Sequence, residues 1–247
     1  MNKINICYLI TEEYVELTLQ SISSVRKFFK STDHELVFFV LSEDTLQHLP
    51  GVNIITLPRK DIFLTHRRSY IPEMLDVDRL IFLDSDTIVM TNILNLWETD
   101  IGDNIIGAVQ HAMLPTIGCM IDKYNISDVF PEYIDSVDLF FNGGVLLIDC
   151  VKWRKHQMSI VTHETCQLYE QRLCSKKNEP GINIALRNMW YGLDHTWNYL
   201  PNSSRYTRAK ILHYYGVYNK TKPRTGRLRY AGYYCDSTGR KFIDDSK

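Results

Sequence analysis

An unbroken apolar run, Leu80-Ile81-Phe82-Leu83, stops at Asp84-Ser85-Asp86 and resumes at Thr87-Ile88-Val89-Met90. Four consecutive apolar residues without polar alternation describe a strand buried on both faces. Such a strand needs covering layers on both sides, which an α/β sheet provides. Residues just past its carboxyl end stand where α/β sheets bind ligands. Two carboxylates one residue apart at that place make a compact, hard, oxygen-rich site. It suits a divalent cation such as Mn²⁺ or Mg²⁺ carrying a diphosphate. The same residues also fit a polar turn between two strands, and Asp-x-Asp by itself does not separate the two readings.

Other segments extend the α/β pattern. Residues 4–10, 35–41 and 52–57 read as strands, and the first is followed by a helix with apolar positions Leu17, Leu19, Ile22, Val25 and Phe28. Thr11 is placed to cap that helix. The alternation predicts parallel pairing with helices on both faces. A helix is expected over 65–75, a short one over 92–99 and a strand over 104–110. Residues 111–133, with Pro115, Gly118 and Pro131, read as irregular chain of the kind that carries substrate contacts. Residues 139–149 are apolar except for Asn142-Gly143-Gly144. That break reads as a hairpin turn or as a bulge that lets a ligand approach the backbone, and the continuous apolar flanks favour the bulge. Residues 151–173 read as one long helix and 181–186 as the start of another. Trp197 to Pro201 reads as a packed turn, and 211–216 as a short strand ending in His213.

Composition sets limits. With 247 residues, 45% of them hydrophobic, the chain can bury one sizeable core. A net charge of -1 gives no case for nucleic acid binding. The 15 tyrosines suit a cleft for sugars or bases. Six cysteines form no Cys-x-x-Cys pair, and Cys7 and Cys150 sit in apolar runs, which reads as reduced thiols in a cytoplasmic protein. The apolar start is too short for a signal peptide, and no stretch approaches a membrane span. The tail carries Lys220, Lys222, Arg224, Arg227 and Arg229. It reads as a solvated surface, or as a weak peripheral contact with a membrane or a lipid-linked or polyanionic acceptor.

Asp84 and Asp86 offer hard oxygens, and His213 offers an imidazole that Mn²⁺ accepts more readily than Mg²⁺ does. With these residues in order, the sequence resembles glycosyltransferase family eight, the retaining, Mn²⁺-dependent enzymes of GT-A fold. The resemblance rests on Asp84-Ser85-Asp86 after an apolar strand, Arg68-Ser69-Tyr70-Ile71-Pro72-Glu73 ahead of it, and Asn142-Gly143-Gly144-Val145-Leu146-Leu147. Trp197-Asn198, His213-Tyr214-Tyr215-Gly216 and Lys222-Pro223 complete it. It implies an α/β fold with a mostly parallel central sheet flanked by helices. It further implies a single catalytic domain over 1–247, with a nucleotide-binding half (1–110), an acceptor-side half (111–200) and a closing segment (201–247). Transfer of glucose or galactose from a UDP-sugar to a glycan, lipid-linked or protein acceptor is the implied activity. The resemblance makes Asp84, Asp86 and His213 the metal ligands and places Tyr14 on the uracil. Arg68, Asn142 and Asp84 then face the donor sugar or ribose, and Gly216 and Lys222 the diphosphate.

Three departures bear on the details. Thr11 stands where the family usually has an acid against the base. Asn178-Glu179-Pro180 replaces the acid-Gln-Asp stretch, which puts a carboxylate, Glu179, near the reacting carbon. Arg224 replaces a Trp, with two extra residues between Gly216 and Lys222. An inverting transferase using Asp135, Asp138 or Glu179 as base stays open, as does a pseudoenzyme that only binds nucleotide sugars. A phosphatase of the haloacid dehalogenase type is disfavoured, because Ile88 stands where it expects Thr or Val and Asp244-Asp245 lies too close to the C-terminus.

Overall fold

The computed structural model describes residues 1–59, 64–124, 135–173, 179–200 and 208–215, and short strands at 228–230, 233–235 and 241–243. In chain order the elements are β1 (Asn2–Leu9), α1 (Val15–Phe28), β2 (His34–Ser42), β3 (Asn53–Thr56), α2 (Ile71–Met74), β4 (Arg79–Leu83), β5 (Thr87–Val89) and α3 (Leu94–Trp97). There follow β6 (Ile106–Gln110), α4 (Ile117–Tyr124), β7 (Phe141–Asp149), α5 (Cys150–Lys155), α6 (Met158–Leu173), α7 (Glu179–Ala185), β8 (Trp190–Gly192) and β9 (Ile211–His213). The last three strands are β10 (Leu228–Tyr230), β11 (Tyr233–Cys235) and β12 (Lys241–Ile243), which pair antiparallel in that order. The chain folds as two compact units. The first gathers Met1–Arg59, Ile81–Thr99 and Asp194–Lys247, and the second Lys60–Leu80 and Asp100–Leu193.

In the first unit β3, β2, β1 and β4 lie side by side and parallel, with Val40 opposite Ile54, Ile6 opposite Phe38 and Ile6 opposite Ile81. Leu80 to Leu83 are fully buried, as a run without polar alternation requires. β5 resumes after the aspartates and pairs antiparallel with β9, setting Thr87 opposite His213. Helix α1 covers this pair through Leu17, which packs with Ile88, Leu212 and Tyr214.

In the second unit β6 is antiparallel to β7 and parallel to β8. Leu114, Ile117, Met120, Phe140 and Ile184 form a core cluster there. β7 runs straight through Asn142-Gly143-Gly144. Ala108 faces Leu146 but Val109 faces Asn142, so residues 143–145 bulge out of register. The bulge reading holds and the hairpin does not.

Several local expectations are corrected. Thr11 does not cap α1: a 3₁₀ turn at Glu12–Tyr14 intervenes, and the Thr11 hydroxyl bonds Glu13 Oε1 at 3.3 Å. Residues 111–133 are not all irregular, because α4 begins at Ile117, where Thr116 Oγ1 accepts Cys119 N and Ile117 and Met120 turn to the core. The long helix over 151–173 divides into α5 and α6 at Gln157, whose φ is 53°. In one helix Trp153 and Met158 would point about 140° apart, and the break lets both be buried. Among the described residues no helix is long and apolar enough to cross a membrane.

Candidate active site

Asp84, Asp86 and His213 each present a ligand atom, all within 4.8 Å of one another. His213 Nε2 stands 3.2 Å from Asp86 Oδ1 and 3.6 Å from Asp84 Oδ2. His213 and Asp86 are buried, and Asp84 is about one-third exposed, which leaves one open side. Backbone pairing delivers the imidazole: Thr87 faces His213 across β5–β9, and Tyr214 N donates to Asp86 O at 2.9 Å. On the other ring edge His213 Nδ1 lies 2.8 Å from Asn198 Oδ1. A carboxamide oxygen only accepts, so Nδ1 carries a proton, and Nε2 is the ring nitrogen turned toward the carboxylates. Nε2 makes no hydrogen bond among the described residues. Two hard carboxylates and an imidazole nitrogen oriented from its far edge fit a divalent cation of the Mn²⁺ kind.

Helix α1 fixes the loop that carries the aspartates. Its Thr18, Ser21 and Ser24, three residues apart on one face, meet alternate residues 85, 87 and 89. Thr18 Oγ1 bonds Ser85 Oγ at 3.1 Å, Ser21 Oγ bonds Thr87 Oγ1 at 2.9 Å, and Ser24 Oγ accepts from Val89 N at 2.9 Å. Thr87 Oγ1 in turn donates to Asp84 O at 2.7 Å. That terminal carbonyl orients the chain of hydroxyls, so Ser21 donates to Thr87 and Tyr8 OH, 3.0 Å away, donates to Ser21. Burial raises the Tyr8 pKa further above its ordinary value, which keeps the phenol a donor. These hydroxyls were missed in the sequence, although their three-residue spacing inside an apolar helix was a visible signal. Asn198 was seen only as part of a turn.

The second unit holds a separate cluster. Arg68 Nη1 donates to Gly143 O at 2.7 Å, and Gly143 N donates to Glu179 Oε1 at 3.0 Å, so one bulged peptide segment is gripped from both sides. A Cβ at Gly143 would lie 2.6 Å from Arg68 Nη1, so a side chain here would displace the guanidinium. Asn142 Oδ1 accepts Gly144 N at 3.0 Å within the same bulge. Asn183, buried on α7, anchors the strand by accepting Phe141 N at 2.7 Å and donating to Phe141 O at 2.9 Å. Of the remaining expected site residues, Tyr14 packs against the cluster of Leu17, Ile88, Leu212 and Tyr214, and Thr11 follows β1. Gly216 and Lys222, and the side chains of the basic tail, lie outside the described residues.

Residues 52–223 match the family model described as glycosyl transferase family 8. Among curated proteins, the chain is 27% identical over 197 residues to Probable galacturonosyltransferase-like 9 of Arabidopsis thaliana, covering 77% of this chain and 50% of that one. It is 30% identical over 149 residues to Glycosyltransferase GlyF of Streptococcus pneumoniae, covering 60% of this chain and 32% of that one. The chain thus spans about half or less of the length of these relatives. Among solved structures, the galactosyltransferase LgtC in complex with donor and acceptor sugar analogs superimposes with a TM-score of 0.67 at 20% identity, over 87% of this chain and 88% of that one. GlyE of Streptococcus pneumoniae gives a TM-score of 0.64 at 17% identity, over 87% of this chain and 55% of that one. These likenesses establish a GT-A fold.

Proposed function

The chain belongs to glycosyl transferase family 8, and from that premise we propose that it moves a hexose from a UDP-sugar to a hydroxyl of a glycan, lipid-linked or protein acceptor, with retention. The convergence of Asp84, Asp86 and His213 carries the reading. The hard step is departure of the nucleoside diphosphate, whose oxygen gains negative charge as the bond breaks. A bound divalent cation supplies the countercharge there. Asp84, Asp86 and His213 would hold it, with Asn198 keeping the imidazole in its ligand tautomer and the α1 hydroxyls keeping the aspartate loop in place. The imidazole favours Mn²⁺, with Mg²⁺ as the alternative.

The other roles rest on the family resemblance. Tyr14 stacks on the uracil with Thr11 near the base, Arg68 and Asn142 face the donor sugar or ribose, and Gly216 and Lys222 contact the diphosphate. Glu179 is assigned to the reacting carbon. Its hydrogen bond from Gly143 N supports that role, because it fixes the carboxylate's orientation. A carboxylate so held stabilises a developing oxocarbenium carbon or attacks it, and either course is compatible with retention. When the leaving phosphate oxygen takes the acceptor's proton, no side-chain base is needed. The relative named as galacturonosyltransferase-like adds UDP-uronates to the candidate donors.

The test is release of nucleoside diphosphate from a panel of nucleotide sugars with Mn²⁺, Mg²⁺ or EDTA. Metal-dependent release from one UDP-sugar is expected and names the donor. No release and no metal-dependent binding with any donor would sink the proposal.

A further inference from the structure

The second unit contains a pocket of about 290 Å³ that shares no residue with the bulge cluster; it is lined by Trp190, Gly192, Val137, Leu139, Asp138 and Arg187, with Asn188 beside them. Its size stands at the low end for small-ligand sites, about 300–1,000 Å³, and so fits one or two rings rather than a whole nucleotide sugar. Trp190 opens β8 and is held in place by the fully buried Phe141, whose ring centroid is 5.3 Å away at 57°. Val137 and Leu139 are 68% and 50% exposed and give the pocket an apolar, solvent-facing wall. Asp138, Arg187 and Asn188 add a carboxylate, a guanidinium and a carboxamide to the same lining. A Cβ built at Gly192 would meet no atom within 4 Å, so the space beside this strand residue is open.

We propose that this pocket binds a pyranose unit of a glycan, as a holding site for the acceptor chain. Each face of a pyranose carries a patch of C–H groups, and its rim carries hydroxyls that both donate and accept. A fixed indole with aliphatic neighbours matches the first. A planar carboxylate, a guanidinium and a carboxamide match the second. A phosphorylated ligand fits poorly, because Asp138 opposes the one cationic side chain. A lipid chain fits poorly, because three of the lining residues are charged or amidic. The rigid platform lowers the ordering cost of binding. The inference rests on the acceptor being a glycan, the first acceptor class proposed above.

The experiment measures binding of cellobiose, lactose and digalacturonate by saturation-transfer NMR and calorimetry, with wild type, Gly192→Leu and Trp190→Leu. Gly192→Leu puts a side chain into the open space without an existing neighbour to displace. Trp190→Leu keeps an apolar contact with Phe141 but removes the platform. At least one sugar should bind wild type, and both variants should bind it at least tenfold more weakly while still melting cooperatively. Metal-dependent hydrolysis of the UDP-sugar donor should be the same in Gly192→Leu as in wild type. Binding that is equal in all three proteins, or absent from wild type for all three sugars, overturns the pocket. Donor hydrolysis is scored separately: its absence from wild type counts against the transferase reading, and sugar binding alone decides the pocket.

Discussion

At Asp84 to Asp86 the working groups are side chains, and a helix's hydroxyls hold the backbone that carries them. At Gly143 the arrangement is reversed: the held object is a bulged peptide segment, and the side chains of Arg68 and Glu179 do the holding. The first region stores its chemistry in residue identity, so deleting one side chain should remove chemistry and leave the fold. The second stores it in backbone position, so adding a single methyl group should disturb it. Charge is handled differently as well. Both carboxylates of the first region converge with one imidazole nitrogen, a donor set that suits a cation. Around Gly143 the guanidinium and the carboxylate grip opposite ends of neutral peptide groups.

Replacing Asp86 with Ala is the largest break in the comparison. It removes one of the two proposed hard oxygen ligands, and metal-dependent donor turnover should fall about 10³-fold. The thermal midpoint should move by less than about 5 °C. Turnover near wild type would remove Asp86 from the site. Glu179→Gln comes next. The amide oxygen can still accept from Gly143 N, so the grip survives while the negative charge is lost. If the carboxylate acts on the reacting carbon, kcat should fall about 10²-fold with KM little changed. A rise in KM alone would make Glu179 a binding residue. Asn198→Ala then tests the histidine's support, and Mn²⁺ titration should show affinity about 10–100-fold lower. Asn198→Asp, which still accepts from His213 Nδ1, should recover much of it.

The two regions were not equally legible in the sequence. β4 and the aspartates stood out because a strand buried on both faces cannot carry polar residues and the Asp pair interrupts it abruptly. His213 was singled out because Gly216 and a basic cluster follow it, an apolar strand ending in His being more often structural; that β9 pairs with β5 is a contact across more than a hundred residues that no local pattern encodes. The hydroxyl face of α1 went unread because Thr and Ser inside a helix usually bond their own backbone, as Thr18 also does to Tyr14 O. In the second unit, Asn142-Gly143-Gly144 gave the bulge but not its partners, since Arg68 and Glu179 reach it from distant segments. The split between α5 and α6 was hidden because composition there is helical throughout and only tertiary packing of Trp153 and Met158 requires the break.

Gly143→Ala probes the second region more gently than the charge deletions probe the first. The new methyl meets the far end of a flexible side chain, so Arg68 can swing away and the fold survives. The cost is the bond from Arg68 Nη1 to Gly143 O, about 1–2 kcal/mol, and activity should fall about tenfold. Donor kinetics and thermal melting check the two parts, and an unchanged rate would show that the Arg68 grip is dispensable.

The smallest effect separates the units by their buried acids. Burial pushes the Cys150 thiol up to about 12 in the second unit, with Arg154 pulling the other way. Burial likewise raises the Tyr8 hydroxyl in the first unit, against the opposing bond to Ser21. A group whose folded pKa is raised stabilises the fold below its unfolded pKa, and that stability is lost as pH rises through the folded value. For Cys150 the loss begins near the thiol's ordinary value of 9.0, and for Tyr8 near the phenol's ordinary 10.0. Between these two values the unfolded chain releases the Cys150 proton while the folded chain keeps it. Unfolding free energy should therefore decline there with a slope approaching about 1 kcal/mol per pH unit. Cys150→Ala removes the titrating thiol at the cost of a small cavity, so its denaturant midpoint should start lower and stay flatter until Tyr8 joins above pH 10. Urea melts at half-unit steps from pH 8 to 10.5 measure both curves. Parallel curves for the two proteins would remove Cys150 as the source of the decline.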